Sequence, residues 1–176
     1  MSLIDLIKVG EPMPQVVPNN EAHSIQTHVF VSEQIVSFDE PFYTYVPYCP
    51  NYINFCDLDC PDRNVISSRF TGCLMVIWQE TYGSPIRIGH VDTTSGMSRK
   101  ADWDNAKTQF RFAYEFKPSD FILPFPKGAE RENCYGLYAI DQANNNIMAF
   151  GIVTGKKDKM SHCVIKKELV FTKPLP

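Results

Sequence analysis

The chain of 176 residues is long enough to bury the core of one domain, residues 1–176, without disulfide or metal support. Hydrophobic residues make up 44% and charged residues 21%, as in soluble globular proteins, and the net charge of −3 gives no basic footprint for nucleic acid. No apolar stretch is long enough to span a bilayer, and no classical signal peptide precedes the first strand, so we expect no membrane segment.

The N-terminal third is predicted to contain short strands joined by irregular segments. Residues 1–22 are predicted to form an irregular arm, because proline and asparagine follow a first stretch at 3–7 that suits a short helix or an edge strand. Residues 27–38 and 42–48 are apolar and aromatic, which is typical of strands.

A segment rich in proline, asparagine and aspartate then carries half of the cysteines, Cys49, Cys56 and Cys60. Their spacing matches no paired-cysteine zinc pattern and no fourth ligand accompanies them, so we interpret them as loop cysteines and predict neither a metal nor a cofactor. Metal binding by this segment is an open alternative, and so is a disulfide between two of the cysteines in an oxidising compartment.

Residues 65–94 read as two apolar strands separated by a turn, and they carry the residues best suited to chemistry. The first strand bears Cys73 after Gly72, and the second bears His90 followed by Asp92. A thiol and an imidazole on neighbouring strands are the minimum apparatus for thiol nucleophilic catalysis. Gly72 lets the backbone bend or lets a substrate approach closely. The alternative is that Cys73 is simply a small hydrophobic residue in a buried strand.

Strand geometry extends this set of residues. Alternate side chains share one face of a regular strand, so His90 and Asp92 are predicted to lie together. The same rule groups the residues that lead to the thiol: Ser67, Arg69, Thr71 and Cys73.

The chain changes periodicity beyond the histidine. Aromatic and alanine residues recur at helical spacing over 98–116, which predicts an amphipathic helix packed on the sheet. A proline-rich loop at 118–128 follows and either borders the site or covers the core. Three strands at 134–141, 147–155 and 161–172, separated by polar turns, predict a C-terminal meander.

Several of these motifs resemble one known family. The Thr71-Gly72-Cys73 segment, the His-Val-Asp triplet at 90–92, the aromatic segment beyond it and GIVTGKK at 151–157 are similar to the glutamine deamidase toxins, the family of Burkholderia lethal factor and the cytotoxic necrotizing factor catalytic domain. The similarity covers residues 65–94 and 149–157, and the N-terminal third takes no part in it.

The resemblance implies both a fold and a site. The fold is α+β, with a central β-sandwich of mainly antiparallel strands flanked by helices and long loops. The catalytic residues are Cys73, His90 and Ser67, the last replacing a family threonine that steadies the histidine. The substrate-binding residues are Thr71, Gly72 and Asp92. The interval of 17 residues between the cysteine and the histidine is closer to that of the chemoreceptor deamidases, and an insertion in the turn at 81–84 accounts for it.

The implied activity is conversion of a glutamine of a host protein to glutamate through a cysteine thioester, without a cofactor. Such a protein is a secreted or injected effector that acts in the host cytosol, and we expect a monomer whose partner is the host protein substrate. The residues leave three alternatives open: a transglutaminase or cysteine protease with the same Cys–His pair, a non-catalytic binding module, and a chemotaxis deamidase.

Overall fold

The fold is built mainly from β-strands, and its helices are short. A computed structural model describes residues 2–15, 24–27, 33–39, 42–94 and 99–176. The α-helices in this part of the chain are α1 (Leu3–Leu6) and α2 (Lys100–Ala106), and 3-10 helices span Lys107–Gln109 and Pro118–Phe121. The strands are β1 (Ser24–Thr27), β2 (Glu33–Asp39), β3 (Tyr43–Tyr45), β4 (Ile53–Asp57), β5 (Asn64–Ser67), β6 (Leu74–Gln79), β7 (Ile86–Val91), β8 (Phe112–Phe116), β9 (Ala129–Asp141), β10 (Asn146–Lys157) and β11 (Met160–Pro174).

The strands form two sheets that share β2. The first sheet has the order β11-β10-β9-β5-β3 and includes the end of β2, which pairs with β3. The second sheet has the order β4-β7-β6-β8 and includes the start of β2, which pairs with β1 and with β4. Among the described strands only the β2–β4 and β3–β5 pairs are parallel. The predicted α+β fold with a sandwich of mainly antiparallel strands is confirmed.

The two sheets face each other across a central core. Strand β6 shows how the sequence builds it, because its alternate residues Met75 and Ile77 point into this core while Val76 and Trp78 point to the opposite face. The meander supplies Tyr138 and other residues from the first sheet. A strand with apolar residues on both faces suits the middle of a layered structure.

Each sheet also has a covered outer face. Leu3 and Ile7, at the two ends of α1, are buried against the outer face of the first sheet. Trp103 of α2 covers the outer face of the second sheet, where its ring meets the Trp78 ring edge-on at 5.5 Å. The helices therefore complete two outer apolar layers.

The N-terminal segment has a short helix within the predicted stretch at 3–7, and residues 7–15 form no further helix or strand apart from an isolated bridge. Residues 2–15 begin with α1 and continue to a bridge between Pro12 and Cys163 of β11. The Lys167 ammonium donates to the main-chain oxygens of Ile4 and Ile7, at 2.7 and 3.0 Å. These contacts attach the segment to the first sheet. The remainder of the predicted arm, residues 16–22, lies outside the described residues.

The long helix predicted at 98–116 is wrong beyond Ala106. Helix α2 ends there, and residues 112–116 form β8, which pairs with β6 at the edge of the second sheet. Phe112 and Phe116 point into the central core, whereas Ala113 between them packs on the outer face. Aromatic residues at these positions fit both a helical and an alternating pattern, and pairing with β6 selects the strand.

The cysteine-bearing segment is also more regular than predicted. Cys56 lies in β4, between β2 and β7, and its side chain is buried in the central core. The prediction of loop cysteines is therefore wrong for Cys56. Side chains of this segment alternate between two faces as in a strand: Ile53 and Phe55 lie on one face and Cys56 on the other.

The three predicted C-terminal strands are confirmed as β9, β10 and β11, which pair antiparallel in sequence order. Within the described part of the chain, none of the helices has the length and apolar character needed to cross a membrane.

Candidate active site

The candidate site lies between the two sheets, where a hydrogen bond joins one to the other. Ser67 is the last residue of β5 in the first sheet, and His90 is in β7 of the second. Ser67 Oγ and His90 Nδ1 are 2.8 Å apart. Val65 and Ile88, two residues before each of them, belong to the central core, so both polar side chains project into the same interlayer space.

The imidazole of His90 is enclosed by aromatic rings. It is 1% exposed, and the Phe70 ring stacks on it at a centroid distance of 4.1 Å and an angle of 7°. The Tyr48 ring lies at 5.3 Å on a tilted plane. Burial disfavours the charged ring and lowers the pKa of His90 to about 3, although the nearby charge of Asp92 acts in the opposite direction. His90 is therefore a neutral base at physiological pH.

The second ring nitrogen of His90 has no protein partner. Nε2 is buried and makes no hydrogen bond in the described structure. A tautomer that carries its proton on Nδ1 donates to Ser67 Oγ and leaves a lone pair on Nε2. This is the form of the ring that can accept a proton from a nucleophile.

Cys73 immediately precedes β6 and lies diagonally across from the histidine. Leu74 pairs with Val91, so the next pair outward brings Cys73 opposite Asp92, and Cys73 Sγ lies 3.9 Å from Asp92 Oδ1. Met75 pairs with His90 and shares the central face of the sheet with Cys73. The thiol and the ring thus occupy one face of adjacent antiparallel strands, but no hydrogen bond joins them in the described structure.

The surroundings of Cys73 favour the protonated thiol. Burial raises the pKa of Cys73, and the carboxylate of Asp92 raises it further. The main-chain N–H and the hydroxyl of Thr93 lower the pKa, but they do not outweigh burial. In this resting arrangement Cys73 is a thiol that contacts a carboxylate, and not a thiolate paired with an imidazolium.

Asp92 holds the loops at this end of the sandwich together. Its Oδ2 accepts the N–H of Asn51 at 2.8 Å, and its Oδ1 accepts the N–H of Thr94 at 2.8 Å. Burial raises the pKa of Asp92, but hydrogen bonds led by those of Thr94 and Asn51 outweigh it, and the pKa lies below its usual value. The carboxylate is 1% exposed. The contacts described for this carboxylate are with protein groups, and its role in binding substrate stays a prediction.

The two predicted substrate-binding residues before the cysteine lie nearer the surface. Gly72 is half-buried, and its main-chain oxygen accepts the hydroxyl of Thr93 at 2.8 Å. Thr71 is exposed and lines an open pocket of about 250 Å³. Thr93 thus contacts both Cys73 and the residue before it, which fixes the backbone on which the thiol sits.

The grouping of four residues on one strand face is wrong. It requires a regular strand from Ser67 to Cys73, but β5 ends at Ser67 and Arg69 has φ +64. The chain turns there, and Cys73 immediately precedes β6, a strand of the other sheet. Ser67 nevertheless reaches His90, because the sandwich brings the end of β5 against β7.

Sequence reasoning missed three residues of the site: Tyr48, Phe70 and Thr93. Each belongs to a stretch with an ordinary strand or loop pattern, so no local signal distinguished them. Their contacts with His90 and Cys73 exist only in the assembled sandwich.

The described residues include no group of three or more histidine, cysteine, aspartate and glutamate side chains placed to hold a metal ion, and the six cysteines form no disulfide.

No family model, curated protein or solved structure matches the chain. The similarity to glutamine deamidase toxins thus depends on the short motifs around Cys73 and His90, and its implications stay predictions.

Proposed function

We propose that this protein is a thiol-dependent protein glutamine deamidase of the toxin or effector type, with Cys73 as nucleophile and His90 as general base. The observation that carries the proposal is the state of His90. Its Nδ1 is held by Ser67, its buried Nε2 has no partner among the described residues, and the ring shares a sheet face with Cys73. A neutral imidazole with one nitrogen oriented and the other unoccupied is suited to accept a thiol proton.

The reaction begins with a rotation of the Cys73 side chain. Diagonal neighbours on one face of an antiparallel pair have Cα atoms about 7–8 Å apart, and a long side chain spans that interval. Turning Cys73 Sγ from Asp92 towards His90 Nε2 is a change between staggered side-chain conformers. Binding of substrate at the half-buried Gly72 and the exposed Thr71 supplies the contacts that favour the reactive conformer.

The chemical steps then balance without a cofactor. His90 Nε2 takes the thiol proton while Cys73 Sγ forms a bond to the carboxamide carbon of a substrate glutamine. The main-chain N–H of Cys73 is the proposed donor to the resulting oxyanion. The C–N bond breaks, and ammonia leaves with the proton returned by His90. Water, deprotonated by the same ring, cleaves the thioester and yields glutamate and the free thiol.

The wider setting of this proposal follows from the family resemblance. The substrate is a host protein that carries the target glutamine, and the effector acts on it in the host cytosol as a monomer. Replacing a neutral amide by a carboxylate introduces a negative charge, which disables a glutamine that positions a catalytic water.

A second candidate is a non-catalytic binding module. It is favoured by the contact of Cys73 with Asp92 instead of His90, and by the raised pKa of the thiol. In this alternative Cys73 is a core residue, and the Ser67–His90 hydrogen bond serves only to connect the sheets.

Mass spectrometry of host-cell lysate proteins after incubation with the protein tests the two candidates. We compare the wild type with Cys73→Ser, and with Cys60→Ser as a matched control. Cys60 is exposed and follows the end of β4 that pairs with Arg87, whereas His90 pairs near the start of β4. The wild type and the control should convert one particular glutamine to glutamate, and Cys73→Ser should be slower by at least about a thousandfold, as when a nucleophile is removed.

Each other outcome has a stated meaning. Conversion that persists in Cys73→Ser contradicts the proposed nucleophile. A primary amine attached at the glutamine, or cleavage of the substrate backbone, identifies a transglutaminase or a protease that uses the same thiol. No modification by the wild type in lysates of several host types favours the binding module.

A further inference from the structure

An open pocket beside the candidate site presents two arginines. It has a volume of about 250 Å³ and lies between the loop that follows β5 and the start of β9. Arg69 and Thr71 line one side, and Arg131 and Asn133 line the other. Phe70 forms part of its wall and also stacks on His90 at 4.1 Å, so the pocket adjoins the proposed base through a single ring. We call it the basic pocket.

The two arginines of the basic pocket are exposed positive charges. Among the described residues no carboxylate forms an ion pair with either guanidinium. Glu132 is the acidic residue of the lining, but its Oε2 accepts the main-chain N–H of His162 at 2.6 Å and lies 3.3 Å from the His162 ring. The carboxylate is thereby engaged with β11, and neither guanidinium donates a hydrogen bond to another side chain among the described residues.

The backbone holds Arg69 in a costly conformation. Its φ of +64 lies in the left-handed region, which glycine or asparagine adopts more readily than arginine. Two contacts with β9 stabilise the turn: Asn133 Oδ1 accepts the Arg69 N–H at 3.0 Å, and the Phe70 N–H is 3.3 Å from the Cys134 oxygen. Such strain at a site indicates that the position of the side chain matters.

We infer that the basic pocket binds an acidic side chain of the protein substrate and so selects glutamines that have a glutamate or aspartate nearby. This inference deepens the proposed function and rests on it. A guanidinium presents paired N–H donors that match the two oxygens of a carboxylate, and a pocket of this size accommodates one or two side chains. Two arginines in a chain of net charge −3 do not provide the extended basic surface that nucleic acid requires.

The test measures binding without turnover, in the Cys73→Ser chain at fixed ionic strength. The probes are three fluorescent peptides of alternating glycine and a second residue, which is glutamate, glutamine or phosphoserine. Fluorescence anisotropy gives Kd for the Cys73→Ser chain and for the same chain that also carries Arg69→Gln or Arg131→Gln. Lys173→Gln is the matched control, since it removes one exposed positive charge at the far end of the β10–β11 pair. Thermal unfolding of each variant verifies that it is folded.

We expect the glutamate peptide to bind more tightly than the glutamine peptide. Each arginine variant should raise its Kd by about tenfold, as expected for loss of a hydrogen-bonded charge pair, while Lys173→Gln leaves it unchanged. Equal binding of the glutamate and glutamine peptides overturns the inference, as do equal effects of the arginine and lysine variants. Binding of only the phosphoserine peptide also overturns it, in favour of phosphate recognition.

The two proposals fail separately. Loss of selectivity for glutamate in a chain that still deamidates lysate protein overturns only the role of the basic pocket. Selective binding of the glutamate peptide by a chain that modifies no glutamine overturns only the deamidase.

Discussion

The C-terminal meander and the candidate site are built from similar strands, but they bury different kinds of side chain. In the meander, β10 pairs with both β9 and β11 along nearly its whole length, and its buried residues on both faces are mostly apolar, as Ile147 and Ile152 are. At the candidate site the same sandwich encloses Ser67, His90 and Asp92.

This difference distinguishes buried residues that stabilise the fold from buried polar residues that do not, and whose presence stability does not explain. A buried polar atom without a partner costs about 1–3 kcal/mol, so His90 Nε2 weakens the fold in comparison with an apolar side chain of the same shape. Ile152 carries no such cost, because its side chain is apolar and its burial stabilises the sheet. The comparison indicates that the meander raises the stability of the sandwich and that the buried polar groups of the site lower it.

The largest expected effect on stability is in the meander. Ile152→Ala should lower the free energy of unfolding by about 2–5 kcal/mol, because Ile152 is fully buried under α1 and its loss leaves a cavity. Denaturant unfolding measures the change. Leu169→Ala on the exposed part of β11 is the control and should stay within about 0.5 kcal/mol of the wild type. Equal effects of the two substitutions would contradict the assigned layers.

The next largest expected effect is a pH dependence of the folding stability, caused by His90 of the candidate site. The pKa of His90 is about 3 in the folded protein and near 6.5 when the ring is exposed, so between these values the unfolded chain binds a proton that the folded chain does not. Stability is therefore fully present above pH 6.5 and decreases as the pH falls towards 3, by about 1.4 kcal/mol per pH unit.

Chemical unfolding at a series of pH values from 4 to 7 measures this slope. His90→Gln should have a flatter profile in the same range, because it lacks the titrating ring. Parallel profiles for the wild type and the variant would show that His90 is not held neutral in the folded protein.

The smallest effect concerns the thiol. Asp92→Asn removes the negative charge beside Cys73, so the pKa of Cys73 should fall and its alkylation by iodoacetamide at pH 7–8 should accelerate, by less than about tenfold. Mass spectrometry of the Cys73 peptide measures the rate, and the exposed Cys60 in the same sample is the internal control. A slower reaction of Cys73 in the variant would mean that Asp92 activates the thiol instead of restraining it.

Local patterns predicted the parts of the fold in which burial and strand alternation agree. The meander and the apolar strand β6 follow from runs of apolar residues between polar turns. The same patterns misled at 112–116, where aromatic residues satisfy two periodicities, and at β4, where neighbouring proline and asparagine obscure a short strand. Pairing with β6, and with β2 and β7, decided these two segments.

The sequence by itself determined that Cys73 adjoins one apolar strand and that His90 lies in the next, because two apolar runs separated by a polar turn are a local pattern. Only the tertiary structure decided which side chains they meet. Ser67 forms a hydrogen bond with His90 across the sandwich, whereas Cys73, only six positions further along the chain, contacts Asp92 of the neighbouring loop. Contacts between facing sheets depend on how distant segments pack, and no periodicity within a single strand records that packing.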